Sequence, residues 1–351
     1  MARPHAAAIF EDAWHRRLTD TLRERGWRTK IIPHTGYGGA DFVRVLGRVL
    51  LSRNPERHAA GDAGASPREL KTAEDETRGW RAFVTSPAIG VPVFVRVGDQ
   101  RVTTMTDRSG LVDVTVRGHG LDPGWHSVQL DSPDAVATEA SVLVIGDTAF
   151  GVVSDIDDTV LSTSLPRPLI AGWNTFLRTE GTRRAVPGMA TLYRSLAAQH
   201  PGAPFLYLST GAWNTAPWLT RFLRRNGYPP GPMLLTDWGP TNTGWFRSGQ
   251  DHKRSSLHRL ARELPHVRWL LVGDDGQHDP RIYTEFAARR PDALRAIAIR
   301  ELSTGEHVLS SGMPVGADQL APVPTAELSV PVVRAPDGFA LARALRPVLA
   351  G

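Results

Sequence analysis

Near the start of the chain the apolar residues Phe10, Trp14, Leu18 and Leu22 recur every four positions. That spacing places them on one face of a helix and predicts one over about 7–25. Gly36-Tyr37-Gly38-Gly39 reads as a glycine-rich turn, since no lysine-bearing phosphate loop follows it. Residues 42–51 then alternate apolar and polar in the manner of a strand. From about Ser52 to Asp75 the chain is rich in Ala, Gly, Arg and acids without any apolar period, which predicts a linker. Short alternating runs follow at 80–84, 92–97, 100–106, 111–116, 125–130 and 139–145, separated by turn signals such as Gly98-Asp99 and Asp107-Arg108-Ser109-Gly110. Strands at such even spacing predict a small antiparallel β-sandwich.

Beyond residue 148 the period changes. Continuous apolar runs predict strands at 149–154, 204–209, 232–236, 268–273 and 296–300. Helical patterns at 189–199, 216–226, 255–263 and 282–290 lie between them. Strands and helices in alternation are the pattern of a parallel sheet in an α/β domain. A Pro-rich stretch at 313–331 reads as a meandering tail, and 338–349 as a terminal helix. The resulting division is 1–51 (helix and strand), 52–75 (linker), 76–147 (β-sandwich), 148–310 (α/β domain) and 311–351 (tail and helix).

Candidate chemistry stands where the strands end. The first apolar run of the α/β domain closes on Asp155-Ile156-Asp157-Asp158-Thr159. Residues i and i+2 of a strand face the same way, so Asp155 and Asp157 converge while Asp158 lies on the other face with no assigned chemistry. Two carboxylates that close stay comfortably ionised only with a cation between them; otherwise one keeps its proton. Taken alone, the stretch also reads as an acidic turn or a Ca²⁺ loop of Asp-x-Asp type. A second run ends in Ser209-Thr210-Gly211 and a third in Gly273-Asp274-Asp275-Gly276-Gln277-His278-Asp279, with Lys253 between them. In open parallel sheets, ligands gather outside the carboxyl ends of the strands. There Ser209 can donate to a phosphate oxygen, Lys253 can neutralise a phosphoryl group, and Asp274 can complete the oxygen shell of Mg²⁺. Lys253 is one of three lysines, with Lys30 and Lys71, among 41 basic residues. A compact ammonium acts as a point charge where a guanidinium is a planar fork. The plain alternative is a solvated lysine ahead of the helix at Ser255.

Together these stretches resemble the four motifs of the haloacid dehalogenase superfamily, at Asp155 to Thr159, Ser209, Lys253 and Asp274 to Asp279. More narrowly, Asp155-Ile156-Asp157-Asp158-Thr159-Val160, Tyr207-Leu208-Ser209-Thr210-Gly211-Ala212-Trp213-Asn214 and Gly273-Asp274-Asp275-Gly276-Gln277-His278-Asp279-Pro280 resemble the catalytic domain of the actin-patch-protein type phosphatidate phosphatases, over about 148–300. The resemblance implies a Rossmann-like parallel sheet of the haloacid dehalogenase type; with the small antiparallel β-sandwich and the N-terminal helix that the periods predict ahead of it, the expected fold class is α/β. It implies Asp155 as a nucleophile that becomes aspartyl-phosphate and Asp157 as general acid and later base; with Lys253 neutralising charge on the phosphoryl group and the nucleophile, these three are the expected catalytic residues. Thr159, Ser209, Thr210 and Gly211 join Lys253 around the substrate phosphate. Mg²⁺ would be held by Asp155, the backbone carbonyl of Asp157 and Asp274. Asp279 either binds the metal through water or orients Lys253, and Asp275 either joins Asp274 or stays apart. His278 reads as a loop histidine, because Asp157 already covers the acid and base roles.

The chain has no cysteine, which excludes disulfides and thiolate metal sites. No signal-like run follows Met1-Ala2-Arg3-Pro4 and no apolar stretch approaches bilayer length, so the expectation is a cytoplasmic protein, soluble or peripheral at the membrane. The net charge is +5, and Arg16, Arg17, Arg23, Arg25, Arg28, Lys30, Arg44, Arg48 and Arg53 cluster early. The first helix therefore either packs on a neighbouring domain or meets anionic lipid headgroups. These basic residues are not interleaved with a nucleic-acid binding module, so no nucleic-acid partner is expected. After Thr159 the stretch with Leu165, Arg167, Leu169, Ile170, Trp173, Phe176 and Arg178 is too short for a large cap, which suits a phosphate held on something bulky. Its apolar residues either seat lipid tails or form the core of a flap. Trp213, Trp218, Trp238 and Trp245 pose the same choice on the opposite rim. The expectation is a Mg²⁺-dependent phosphatase acting on phosphatidate or a related lipid phosphomonoester. The alternatives are the same chemistry on a protein or nucleic-acid end, or a non-catalytic interaction protein working through its sandwich. The sequence leaves the oligomeric state open.

Overall fold

Val93, Val95 and Val97 are buried while Phe94 and Arg96 between them are exposed, the alternation of a sheet with one covered face. The computed structural model describes residues 21–22, 24–52, 86–163, 183–236, 245–276, 278–311 and 328–350. Most of the helix predicted at 7–25, the linker, the run 80–84 and the stretch 165–178 lie outside the described residues. The chain divides into two compact units, one ending at Val144 and the other beginning at Ile145.

The first unit holds β1 (Arg28–Gly38), β2 (Phe42–Ser52), β3 (Ser86–Pro87), β4 (Pro92–Val97), β5 (Gln100–Met105), β6 (Leu111–Arg117), β7 (Gly124–Asp131) and β8 (Thr138–Val144). They form one eight-stranded sheet in the order β3-β2-β1-β8-β7-β4-β5, with β6 paired to β2 off that path. Its core includes Ile31, Val43, Val45, Val112, Leu130 and Val142. Two sequence expectations change here. Residues 28–52 are not a separate N-terminal piece, because β1 pairs in parallel with β8 and β2 pairs with β6. Gly36 and Gly38 lie in β1 rather than in a turn, and the chain reverses at Gly39, whose N–H donates to the Phe42 carbonyl at 2.9 Å. The glycines answer a packing demand: a Cβ at either would lie 2.2 Å from a carbonyl oxygen of β2. The sequence showed the missing side chains, but not that a neighbouring backbone occupies their place.

The second unit is built on strands most of which are buried along nearly their whole length, as parallel strands covered on both faces require. Its main sheet comprises β9 (Phe150–Ser154), β12 (Phe205–Ala212), β13 (Met233–Thr236), β14 (Arg268–Asp274), β15 (Leu294–Arg300) and β16 (Val332–Ala335). A two-stranded pair, β10 (Leu161–Thr163) and β11 (Arg183–Ala185), stands apart. The helices are α1 (Met189–Gln199), α2 (Ala216–Arg225), α3 (Trp245–Glu263), α4 (Asp279–Arg289), α5 (Thr304–Ser311) and α6 (Gly338–Ala350). The six strands are all parallel in the order β13-β12-β9-β14-β15-β16. Chain order therefore runs outward in both directions from β9, making the carboxyl end of β9 a topological switch point, where open α/β sheets bind ligands. Among the described residues no helix is long and apolar enough to cross a membrane.

Two boundaries differ from the sequence pattern. The unit does not end at 310, since β16 adds a sixth strand beside β15 and α6 packs on both. A four-residue strand between Pro331 and Pro336 is too short to register as a period, and β15 imposes its structure. Helix α3 begins at Trp245, ten residues before the predicted start. Its first turns, Trp245-Phe246-Arg247-Ser248-Gly249-Gln250, are mainly polar and lack an apolar stripe.

Candidate active site

Asp155 directly follows β9, and its N–H continues the β9–β14 ladder by donating to the Val272 carbonyl at 2.8 Å. The chain then leaves the sheet, so the Asp155 side chain stands at the switch point, only 2% exposed. Asp274 ends β14 on one side of it. On the other side, the β12–β13 register shifts between Leu208 and Ala212, so Ser209, Thr210 and Gly211 bulge out of the ladder at its carboxyl end. Lys253 sits midway along α3 and is 7% exposed, buried rather than solvated.

The ammonium of Lys253 donates to Asp155 Oδ1 and Asp279 Oδ1, each at 2.6 Å. Burial alone would lower its pKa, but Asp155 and Asp279 outweigh burial and raise it, so Lys253 is held charged. Asp155 shows the opposite balance. Burial above all pushes its carboxyl well above the usual range; Lys253 opposes the rise, and Asp279, Asp274 and Asp157 add to it. One ammonium thus pairs with two buried carboxylates while Asp274 and Asp157 add negative charge around Asp155, a strongly acidic pocket that invites a cation.

Asp155, Asp274 and Asp279 each offer a carboxylate oxygen within 4.8 Å of the others, and all three are buried. The second oxygen of Asp279 is buried without a hydrogen-bond partner. It lies against the backbone of Gly273, where a Cβ would approach it to 2.6 Å. A set of hard oxygen donors with an unsatisfied buried oxygen fits Mg²⁺ or Ca²⁺. The Asp157 carboxylate is not in this trio. It is half-buried and accepts a 3.0 Å hydrogen bond from Ser209 Oγ, which itself accepts the Gly211 N–H at 2.9 Å. Thr159 is fully buried and its hydroxyl has no hydrogen-bond partner; Thr210 is exposed and Gly211 half-buried.

The acids not brought together are equally clear. Asp275 turns away from its neighbour: its Oδ1 accepts the Leu302 N–H at 2.9 Å and lies 3.3 Å from His307 Nε2. Of the two options left open by the sequence, the geometry therefore sets Asp274 alone among the clustered acids. Asp158 is buried with φ +58° and is not one of the three clustered acids. His278 precedes α4 and is half-buried, with its pKa lowered first by burial and then by Arg281. Trp213 and Trp218 are buried in packing, with Arg183 stacked 4.6 Å over Trp218. Trp238 and the side chain of Trp245 lie outside the described residues. Sequence reasoning passed over Arg300, the buried last residue of β15, which donates to the Asp158 carbonyl at 2.8 Å. A charge closing an apolar run at the same sheet end as the acids was the available signal.

Comparison with known families finds a match within this unit. Residues 150–301 match the family described as "Phosphatidate phosphatase APP1, catalytic domain". The Phosphatidate phosphatase APP1 of Saccharomyces cerevisiae is 26% identical over 186 residues, covering 51% of this chain and 31% of that protein. An uncharacterized protein of Schizosaccharomyces pombe is 28% identical over 179 residues, covering 50% of this chain and 29% of its own length. The chain thus spans about a third of the length of these curated relatives. Among solved structures, an uncharacterized Listeria monocytogenes protein is 12% identical over 57% of this chain and 99% of its own, at a TM-score of 0.32, too slight a likeness to carry an argument. The stretch that supplies the clustered acids, Ser209 and Lys253 is therefore the stretch that is similar to a phosphatidate phosphatase catalytic domain.

Proposed function

We propose that this protein is a Mg²⁺-dependent phosphatase of phosphatidate or a related lipid phosphomonoester, working through an aspartyl-phosphate on Asp155. In this reading the parallel sheet is of the haloacid dehalogenase type, and the eight-stranded sheet is the sandwich-like module that precedes it in the chain. The observation that carries the proposal is the buried Lys253 bridging Asp155 and Asp279 at the switch point of the sheet, with Asp274 beside them. Residue similarity to a phosphatidate phosphatase domain over the same stretch supports the substrate class.

Asp155 attacks phosphorus in line with the leaving oxygen, forming the O–P bond of the acyl phosphate as the ester O–P bond breaks. Asp157, half-buried and steadied by Ser209, gives the leaving alkoxide a proton. It then takes a proton from the water that attacks the acyl phosphate, releasing inorganic phosphate and restoring Asp155. Lys253 holds Asp155 in place and offsets charge on the transferring group. Thr159, Ser209, Thr210 and Gly211 line the place for its oxygens. A Mg²⁺ held by Asp155, Asp274 and Asp279 would supply the positive charge that keeps Asp155 ionised despite its burial and would polarise a phosphoryl oxygen.

Purified protein should release phosphate from phosphatidate in vesicles faster than from soluble phosphomonoesters, and EDTA should abolish release until Mg²⁺ is restored. Activity that survives the chelator would overturn the metal role, and equal or better turnover of soluble or protein-borne esters would remove the lipid assignment. Asp158→Asn is expected to stay within about fivefold of the wild-type rate, because Asn tolerates the left-handed backbone and the side chain has no role in the chemistry. A steady-state assay beside Asp157→Asn checks this; equal losses in the two variants would mean that the roles of the adjacent acids are misassigned.

A further inference from the structure

Arg300 ends β15 with a side chain only 6% exposed, and all three arms of its guanidinium are engaged. Nη1 donates to the Asp158 carbonyl at 2.8 Å, Nε to the Pro336 carbonyl at 3.2 Å, and Nη2 to Glu306 Oε1 at 2.6 Å. Glu306 is fixed in turn by the N–H and hydroxyl of Ser303, both at 2.9 Å. The backbone of the same segment grips the other acidic loop, since the Arg300 carbonyl accepts the Asp275 N–H at 3.0 Å and the Leu302 N–H donates to Asp275 Oδ1. A single residue, through its side chain on one side and its backbone on the other, therefore ties the turn after Asp157 to the strand end that carries Asp274.

The peptide that Arg300 holds is a buried lever beside the site, with Asp158 5% and Thr159 0% exposed. Asp158 is one of two described non-glycine residues with positive φ, at 58°. L-residues adopt that conformation at a cost and keep it where the surroundings impose it. Among the described residues there is no cis peptide bond, so the Thr159 N–H points opposite to the Asp158 carbonyl. A guanidinium that fixes the carbonyl fixes the direction of that donor as well, away from Arg300.

We propose that Arg300, braced by Glu306, is a positioning residue: it sets the 158–159 peptide, and with it the turn that follows Asp157, so that this turn and the Asp157 proton donor are preorganised for the transferring phosphoryl group. This rests on the phosphatase reading above. Arg300 touches neither substrate nor metal; it acts through the peptide. A donor that must already be aimed when charge develops contributes to the transition state more than to substrate binding. A lysine keeps the charge but cannot serve Asp158, Pro336 and Glu306 together.

The test measures kcat and KM for Arg300→Lys, Glu306→Gln and Arg290→Ala on phosphatidate in detergent micelles and on p-nitrophenyl phosphate, with thermal melting to give the folded fraction. In R300K, kcat per folded molecule is expected to fall roughly tenfold to a hundredfold while KM stays within about twofold. E306Q, which leaves the arginine in place, should show the same pattern more weakly. R290A, which breaks the ion pair with Asp292 on α4's far end, should match wild type. Wild-type kcat per folded molecule in both R300K and E306Q overturns the inference, as does a loss that tracks only the unfolded fraction. A wild-type protein that hydrolyses neither substrate overturns the phosphatase reading and this inference with it, a result read before any variant is compared.

Discussion

Asp155→Asn is expected to reduce phosphate release by on the order of 10³-fold or more, the scale of loss when a covalent nucleophile is removed, while leaving the fold as stable as wild type or more so. The two halves of this expectation have one cause. Burial and three acidic neighbours already hold the Asp155 carboxyl well above its usual range, with Lys253 opposing them. A neutral amide of the same shape removes a charge from that crowd, and Lys253 keeps its 2.6 Å contact with Asp279. Sites that store unfavourable charge for chemistry commonly gain stability when it is removed. Steady-state assay and a thermal melt of the same preparation check both halves. Retained activity would remove Asp155 as nucleophile, and a collapsed melt would make it a structural residue.

Lys253→Met is expected to damage stability and activity together. Removing one partner of a buried ion pair costs about 3–5 kcal/mol, and here two carboxylates, Asp155 and Asp279, lose their counter-charge at once. One of them will respond by taking up a proton, which brings the loss toward the lower end of that range. Because the pKa of Lys253 is raised in the fold, its pairing contributes fully at neutral pH and is lost only in strongly alkaline solution, above the ordinary lysine range. Activity should fall roughly hundredfold or more, since the proposed nucleophile loses both its anchor and its charge partner. Lys253→Arg separates the two effects: it keeps the charge and most of the stability, but a planar fork does not fit where a point charge bridges two oxygens. Urea unfolding midpoints beside kcat decide the matter, and a Lys253→Met protein with an unchanged midpoint would show that the bridge carries little energy.

The candidate site was legible in unusual detail because its residues stand where local pattern changes. Asp155, Ser209 and Asp274 each follow an apolar run, and a polar group at the end of a buried parallel strand has few places to go except the switch-point crevice. Lys253 was legible by its rarity among arginines, although the sequence placed it before a helix and the structure places it within one. Arg300 was passed over for the same reason that β16 was. Both take their meaning from neighbours distant in the chain, Asp158 for the arginine and β15 for the strand.

The periods and strand-end residues of the sequence by themselves determined an α/β unit, the positions of most of its strands and helices, and the identity of the acids, hydroxyl and lysine that could meet. Periodicity reports which face of an element is buried, and that is a local property. Tertiary structure alone decided that residues 28–52 complete the first sheet, that Gly36 and Gly38 serve close strand packing, that Asp275 turns toward Leu302 and His307, and that Lys253 bridges Asp155 and Asp279. These depend on which backbone or side chain arrives from elsewhere in the chain. In a buried site that arrival decides which carboxylate is paired, which is left without a partner, and therefore which can do chemistry.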